Sequence, residues 1–296
     1  MDNIETKYPD LHKFSKSIKI NPEDLINAFE VESYYHNLIK NEKNREIRVK
    51  LYNEMYGKAH AIYNKNASYM KHETFSRKAF LFKKEFYGKS ILDVGCGKGA
   101  LLNTISKSYK SKELYGIDVS LLDDSIRKKM PNINFISGDI TSFDLNKKFD
   151  VVYSNHVLEH MANEDLKTHI TSIIKHMKRN SVLIINMPNR LFGPSDVTRI
   201  IDYSYTNKTL AQGSHFNEST YSEIIKMLKD HGFNSFKSPI PLTRVRHLFR
   251  SIRINSDIIS KIEKSKILMK VLHGFKINGR CRLNFEISII AQKNDY

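Results

Sequence analysis

Cysteine is scarce. The 296 residues contain two, Cys96 and Cys281, too few for a disulfide framework or a cysteine-based zinc site. Long apolar runs are also missing: even SVLIINM at 181–187 falls far short of the roughly 18 residues that a membrane-spanning helix needs. The opening MDNIETKYPDLHKFSK has no apolar core of the secretory type. Together these absences lead us to expect a cytoplasmic protein. Acidic residues are the third deficit, 32 against 48 lysines and arginines, for a net charge of +16. Such an excess favours an anionic partner: nucleic acid, a nucleotide-linked substrate or an anionic membrane surface. It is spread along the chain rather than gathered into one tail, however, as a merely lysine-rich composition would also produce. Neither an internal repeat nor a low-complexity segment is present.

What is there reads as a globular chain. The length allows one large domain or two small ones, and 40% hydrophobic with 10% aromatic residues suit a buried core. Residues 1–80 carry helical patterns, among them NPEDLINAF, where Asn21 caps and Pro22 opens a helix. From SILDVG (90–95) onward the rhythm changes. Short β-branched runs at ELYGIDVS (113–120), INFISGDI (133–140), FDVVYSN (149–155) and SVLIINMPN (181–189) alternate with helical stretches. Continuous apolar strands separated by helices indicate an α/β fold with a parallel sheet covered on both faces. STYSEIIKMLKDHGF (219–233) is a helix that stops at Gly232, and LNFEISIIAQK (283–293) is a final strand. Between them, 241–282 is basic and holds two helical patterns, an insertion too long for a hairpin. We expect it to be a lid or a partner-facing element.

ILDVGCGKGALL (91–102) places Gly95, Gly97 and Gly99 between a strand and a helix. There the backbone can turn sharply, approach a ligand and offer it the helix N-terminus. Read loosely, with Ala100 as the last small residue, the same run would serve a dinucleotide. Two acids separate the readings. Asp118, about 20 residues on, can accept from both ribose hydroxyls, and Asp139 ends the third strand, where a carboxylate can accept from an adenine amine.

At this point the chain closely resembles the class I S-adenosylmethionine-dependent methyltransferases, from about Lys89 to Phe233. The resemblance implies a Rossmann-like, seven-stranded, mostly parallel sheet with the last strand antiparallel. It assigns 81–296 to the methyltransferase domain and 1–80 to an N-terminal helical cap. It also implies S-adenosylmethionine as cofactor, held by Asp93, Gly95, Cys96 (through its backbone N–H), Gly97, Gly99, Asp118, Val119, Asp139, Ile140 and Asn155.

SNHVLEHM (154–161) contains H-x-x-E-H. On a helix, His156, Glu159 and His160 would share one face, the spacing of one class of metallopeptidases. At the end of a fourth parallel strand that reading fails, and the segment resembles instead the LEH stretch of methyltransferases acting on small molecules, quinols and sugars. His156, His160 and, further on, His215 become candidates for the base that takes a proton from an acceptor hydroxyl. No metal is expected. Were one bound, the set Glu159, His160 and His215 would hold it, as in the similar ligand set of small-RNA 2′-O-methyltransferases. Arg190 and Arg199 are available in this reading for an anionic acceptor group.

The expected activity is methyl transfer to an oxygen, less favourably a nitrogen, of a small-molecule or carbohydrate acceptor, in glycan or secondary-metabolite biosynthesis. Three alternatives differ in partner. An RNA methyltransferase would use the basic surface. A membrane-associated quinol methyltransferase would lay 257–275 on a bilayer through Ile258, Ile259, Ile262, Leu268, Val271, Leu272 and Phe275, although we expect that face to be buried in the protein's own core. A non-catalytic binder would keep the scaffold alone, against which the unbroken set of glycines and acids argues.

Overall fold

A computed structural model describes residues 2–63, 73–119, 124–243, 245–277 and 280–293. Helices α1 (Asp2–Lys7), α2 (Leu11–Ile18), α3 (Pro22–Asn41), α4 (Arg45–Tyr63), α5 (Glu73–Leu81) and α6 (Lys83–Phe86) precede the first strand. Then follow β1 (Ser90–Val94), α7 (Ala100–Ser108), β2 (Glu113–Asp118), α8 (Asp124–Lys128), β3 (Asn134–Ser137), β4 (Phe149–Asn155), α9 (Asn163–Lys175) and β5 (Met177–Met187). The remainder comprises α10 (Tyr221–Asp230), β6 (Ser235–Ser238), β7 (Ile254–Asn255), α11 (Ser256–Lys264), α12 (Lys266–Gly274), β8 (Lys276–Ile277), β9 (Arg280–Cys281) and β10 (Ile287–Gln292).

The main sheet has the order β3-β2-β1-β4-β5-β10-β6-β7. β1 to β5 are parallel, whereas β10 runs antiparallel to both β5 and β6. Every residue of β1 is buried, as a strand covered on both faces requires. The Rossmann-like arrangement is therefore as expected, with one addition: the two-residue β7 pairs with β6 and makes an eighth strand. β6, SFKS, gave no strand signal in the sequence because it is short and half polar. The strand order reverses between β1 and β4, and in such sheets ligands bind beyond the carboxyl ends of the strands at that point.

The local chemistry explains the element ends. The Asn21 side chain accepts from the Glu23 amide and Pro22 fills the first turn of α3. Thr220 and Glu223 form a reciprocal capping box on α10, and Gly232, at φ +86°, lets the chain turn after it.

Two apolar clusters line the faces of the sheet. One holds Leu92, Val152, Leu183, Ile224 and Ile289, and the other Ile91, Leu102, Tyr153, Phe82 and Phe86. α5 and α6 thus pack with the sheet, and residue 80 lies inside α5. α2 and α3 build a separate cluster with Val197, Ile200 and Tyr203. α4 is fastened to α9 by Arg48, buried to 3% exposure, whose guanidinium meets both oxygens of the fully buried Asp165 at 2.5 and 2.8 Å. The Tyr52 hydroxyl donates to the same carboxylate and accepts from the Ala162 amide.

The 241–282 insertion is only partly core. Ile259 and Met269 are buried, and Ile262 and Leu272 pack against the core. Ile258, Leu268, Val271 and Phe275 are exposed, which corrects the expectation that this face is buried: α12 is apolar on two sides and the fold covers one.

Candidate functional site

The loop after β1 is held from within the sheet. Gly95 and Cys96 both donate their amides to the Ile117 carbonyl of β2, at 2.8 and 3.2 Å. The Cys96 N–H shares that carbonyl with Gly95, and the Cys96 sulfur packs on Gly116. Gly95, Gly97 and Gly99 have φ of +76°, +52° and +71°, a region costly for residues with a Cβ. A Cβ on Gly95 would lie 2.3 Å from Val157, and one on Gly99 2.5 Å from Phe135. On Gly97 it would meet nothing within 4 Å. The loop is wedged at both ends and open in the middle.

Asp118 reaches back to this loop, its Oδ2 accepting from the Gly97 amide at 2.8 Å. Asp93, buried beneath, has its carboxyl pushed up to about 8 by burial and by the charge of Asp118. Asp139 is engaged: one oxygen accepts from the amide and hydroxyl of Thr141 at 2.8 and 2.7 Å, and the other pairs with Arg45 of α4. Val119 is exposed. The Ile140 carbonyl receives His169 Nδ1 at 2.6 Å. The Asn155 side-chain oxygen receives the buried Lys78 ammonium at 2.5 Å.

H-x-x-E-H does not lie along one helix. His156 takes φ +54° directly after β4, and only Leu158–His160 form a single 3-10 turn. The two histidines therefore diverge. His156 Nδ1 pairs with Glu159 at 2.9 Å, its Nε2 faces Glu286 at 3.3 Å, and 43% of its side chain is exposed. Burial and the Lys78 charge oppose its protonation, but the two carboxylates outweigh them and its pKa is raised. Glu286 also pairs with Lys78 and, at 2.6 Å, with Arg246 of the insertion.

His160 turns to the other side. Its ring lies 4.6 Å from that of His215 and 5.8 Å from Tyr56, and burial, with the His215 charge, pushes its pKa down to about 4. His215 is buried too, yet the Glu218 carboxylate, 2.6 Å from its Nδ1, lifts it to about 9. One ligand atom from each of Glu159, His160 and His215 lies within 4.8 Å of the others. His160 Nδ1 is tied to the Ser214 carbonyl and His215 Nδ1 to Glu218, so each ring is fixed from behind with Nε2 left for a ligand. Glu159 is fully buried and its Oε2 has no hydrogen-bond partner. The loop bearing His215 is held by Glu32, on the Ser214 amide, and Asp196, on the Gly213 amide, both at 2.8 Å.

Of the two candidate anion-binding arginines, Arg190 is engaged, and Arg199 keeps a buried Nη1 without a hydrogen-bond partner among the described residues. Arg190 pairs with Glu223 of the α10 cap at 2.5 Å, and Arg199 stacks on Tyr203 and Tyr205. The sequence reading missed Arg45, Lys78, Arg246 and Glu286. Arg45, Lys78 and Arg246 lie in charge-rich stretches with no pattern of their own, Glu286 stands in the run read only as the last strand, and tertiary contacts alone bring them together with Asp139 and Asn155.

A family model described as a methyltransferase domain matches residues 67–237. Among curated proteins, putative methyltransferase 235L of Invertebrate iridescent virus 6 is 32% identical over 125 residues, 42% of this chain and 45% of the viral protein. The ubiquinone biosynthesis O-methyltransferase of Rickettsia canadensis is 28% identical over 155 residues, 48% of this chain and 61% of that one. The chain thus spans about half the length of the curated relatives it matches. A solved Burkholderia thailandensis 1,6-didemethyltoxoflavin-N1-methyltransferase, with its bound 1,6-didemethyltoxoflavin and S-adenosylhomocysteine, superposes with a TM-score of 0.53. That match covers 86% of this chain and 92% of that one at 14% identity, a likeness of fold. Among the described residues no helix is long and apolar enough to cross a membrane.

Proposed function

The chain belongs to the methyltransferase-domain family of the class I S-adenosylmethionine-dependent superfamily, and we propose that it methylates an oxygen, in preference to a nitrogen, of a small-molecule or carbohydrate acceptor. The observation that carries this reading is the loop of 95–99. It is packed tight at Gly95 and Gly99, open at Gly97, and backed by Asp118, which fits a ligand lying against the glycine backbone.

Bound S-adenosylmethionine supplies a methyl carbon already activated by its sulfonium sulfur. Asp118 is the residue to hold the ribose hydroxyls. Asp139 is the residue for the adenine amine once Arg45 yields it, and Asp93 supports the loop from below. An acceptor hydroxyl must lose its proton, a task for which a positioned base contributes about 10²–10⁴-fold. Of the three histidines His156 suits it best. It is exposed, sits at the carboxyl end of β4, and is oriented by Glu159. His160, near pKa 4, is a weak base and His215 is buried against Glu218. His156 is itself raised by its two carboxylates, so it acts in its neutral form, with Nε2 released from Glu286 to take the acceptor proton.

Calorimetric titration with S-adenosylmethionine and S-adenosylhomocysteine tests the cofactor assignment. We expect binding by the parent and a loss of at least about tenfold for Asp118→Ala, since hydrogen bonds to a charged group contribute about 1.5–3 kcal/mol each. Absence of binding by the parent would leave only the scaffold reading. His156→Ala should then lower kcat with an identified acceptor by about 10²-fold or more while cofactor affinity stays.

The orphaned Glu159 Oε2 favours a second reading, in which Glu159, His160 and His215 hold a divalent cation that binds acceptor oxygens. Metal analysis of protein purified without chelator distinguishes the two: a stoichiometric cation lost in His215→Ala supports this reading, and none in the parent removes it.

A further inference from the structure

We propose that the outer face of α12 and the β8 segment after it form a docking surface for an anionic lipid bilayer. Ile267, Leu268, Val271 and Phe275 recur at i, i+1, i+4 and i+8, a stripe about 100° wide on a helix. All are exposed, Ile267 to 78% and Val271 to 62%, and Ile277 continues the exposed apolar surface. The opposite side of the same helix is already used, with Met269 buried in the main core beside Cys281. A helix apolar on both sides but covered on one leaves a face that water disfavours.

The charges around that face identify its occupant. Lys261, Lys264, Lys266, Lys270 and Lys276 are all exposed. Neither α12 nor β8 carries an acid. Of the two acids of 256–277, both on α11, Asp257 is at the surface paired with Lys229 at 3.4 Å, and Glu263 is buried, accepting from Asn189 at 2.5 Å and the Tyr221 amide at 3.0 Å. An apolar stripe whose charged neighbours on α12 and β8, among the described residues, are lysines is what an interfacial helix presents to anionic headgroups. A second copy of this chain would bring lysines against lysines. RNA would have no use for an aliphatic stripe, because nucleic acid is held by cations and aromatic stacking. α12 is also tied to the site's rim, since His273 Nε2 meets the Leu191 carbonyl at 2.8 Å, just beyond β5.

The test needs no turnover and is independent of the methyl-transfer reading. The full chain is floated with vesicles of phosphatidylcholine alone and of phosphatidylcholine mixed with phosphatidylglycerol, at low and high salt. Sedimentation and retention of a single-stranded RNA are measured alongside. We expect flotation with the anionic vesicles that weakens with salt. It should fall by about tenfold in Ile267→Asp/Val271→Asp and in Lys266→Glu/Lys270→Glu, with melting temperatures unchanged. The lysine pair is wholly on the surface, so it decides the matter even if the aspartates disturb α12. Absence of flotation, equal flotation with phosphatidylcholine alone, a dimer that the aspartate variant dissociates, or RNA retention without flotation would each overturn the proposal.

Discussion

Asp93 shows what a single buried residue contributes. It sits under the glycine loop at 3% exposure, within reach of the Asp118 charge, and its carboxyl rises from the ordinary 3.8 to about 8. A folded pKa above the unfolded one means that folding favours the protonated form. That advantage is complete below pH 3.8 and is lost as the pH climbs through 8. Asp93→Asn removes the titration, so without cofactor the variant should melt with the parent at pH 4 and increasingly above it from pH 5 to 9. A gain of about 2–4 °C is expected for each kcal/mol recovered, and pH-resolved melting curves check it. At this scale the sequence revealed the glycines and Asp118, because a turn and a strand end restrict which residues can stand there. Arg45, on Asp139, was hidden: one arginine in a helix of mixed charges has no pattern, and its partner lies 94 residues away.

Among elements, the joint between α4 and α9 depends on one buried ion pair. Arg48 and Asp165 are almost without solvent, and removing one partner of such a pair leaves the other charge buried and uncompensated, a loss of about 3–5 kcal/mol. Arg48→Ala should therefore lower stability by about that amount and open α4 to proteolysis, as urea unfolding and limited digestion would report. Thr220→Ala, which removes half of the α10 capping box, should cost only about 1 kcal/mol. The caps of α3 and α10 were legible in the sequence because capping is chemistry between near neighbours. β6 was not: its four residues are a strand because β10 lies beside them. The two-sided α12 was read as core because an apolar pattern does not say how many of its faces have a neighbour.

For the molecule as a whole, the N-terminal helices reach the end of β3 through Arg45, which pairs with the Asp139 carboxylate. On the role proposed for Asp139, the cofactor's adenine amine competes with that guanidinium. Arg45→Ala is expected to tighten S-adenosylmethionine binding by up to about fivefold, a modest effect for a partly exposed pair. Calorimetry on the variant checks this, and weaker binding would instead make Arg45 a cofactor contact.

The sequence by itself determined the α/β architecture and the place of the glycine loop, because each depends on local periodicity or on turn geometry that few residues tolerate, while the expected sheet arrangement came from the resemblance to the methyltransferase family. Tertiary structure decided which of the clustered groups meet. The left-handed turn at His156 parts it from His160, and the antiparallel run of β10 beside β5 sets Glu286 at the carboxyl end of the sheet, where Lys78 and Arg246 meet it. Packing on one side alone leaves α12 open. Contacts between residues far apart in the chain leave no periodic trace, so their chemistry becomes visible only once the chain is folded.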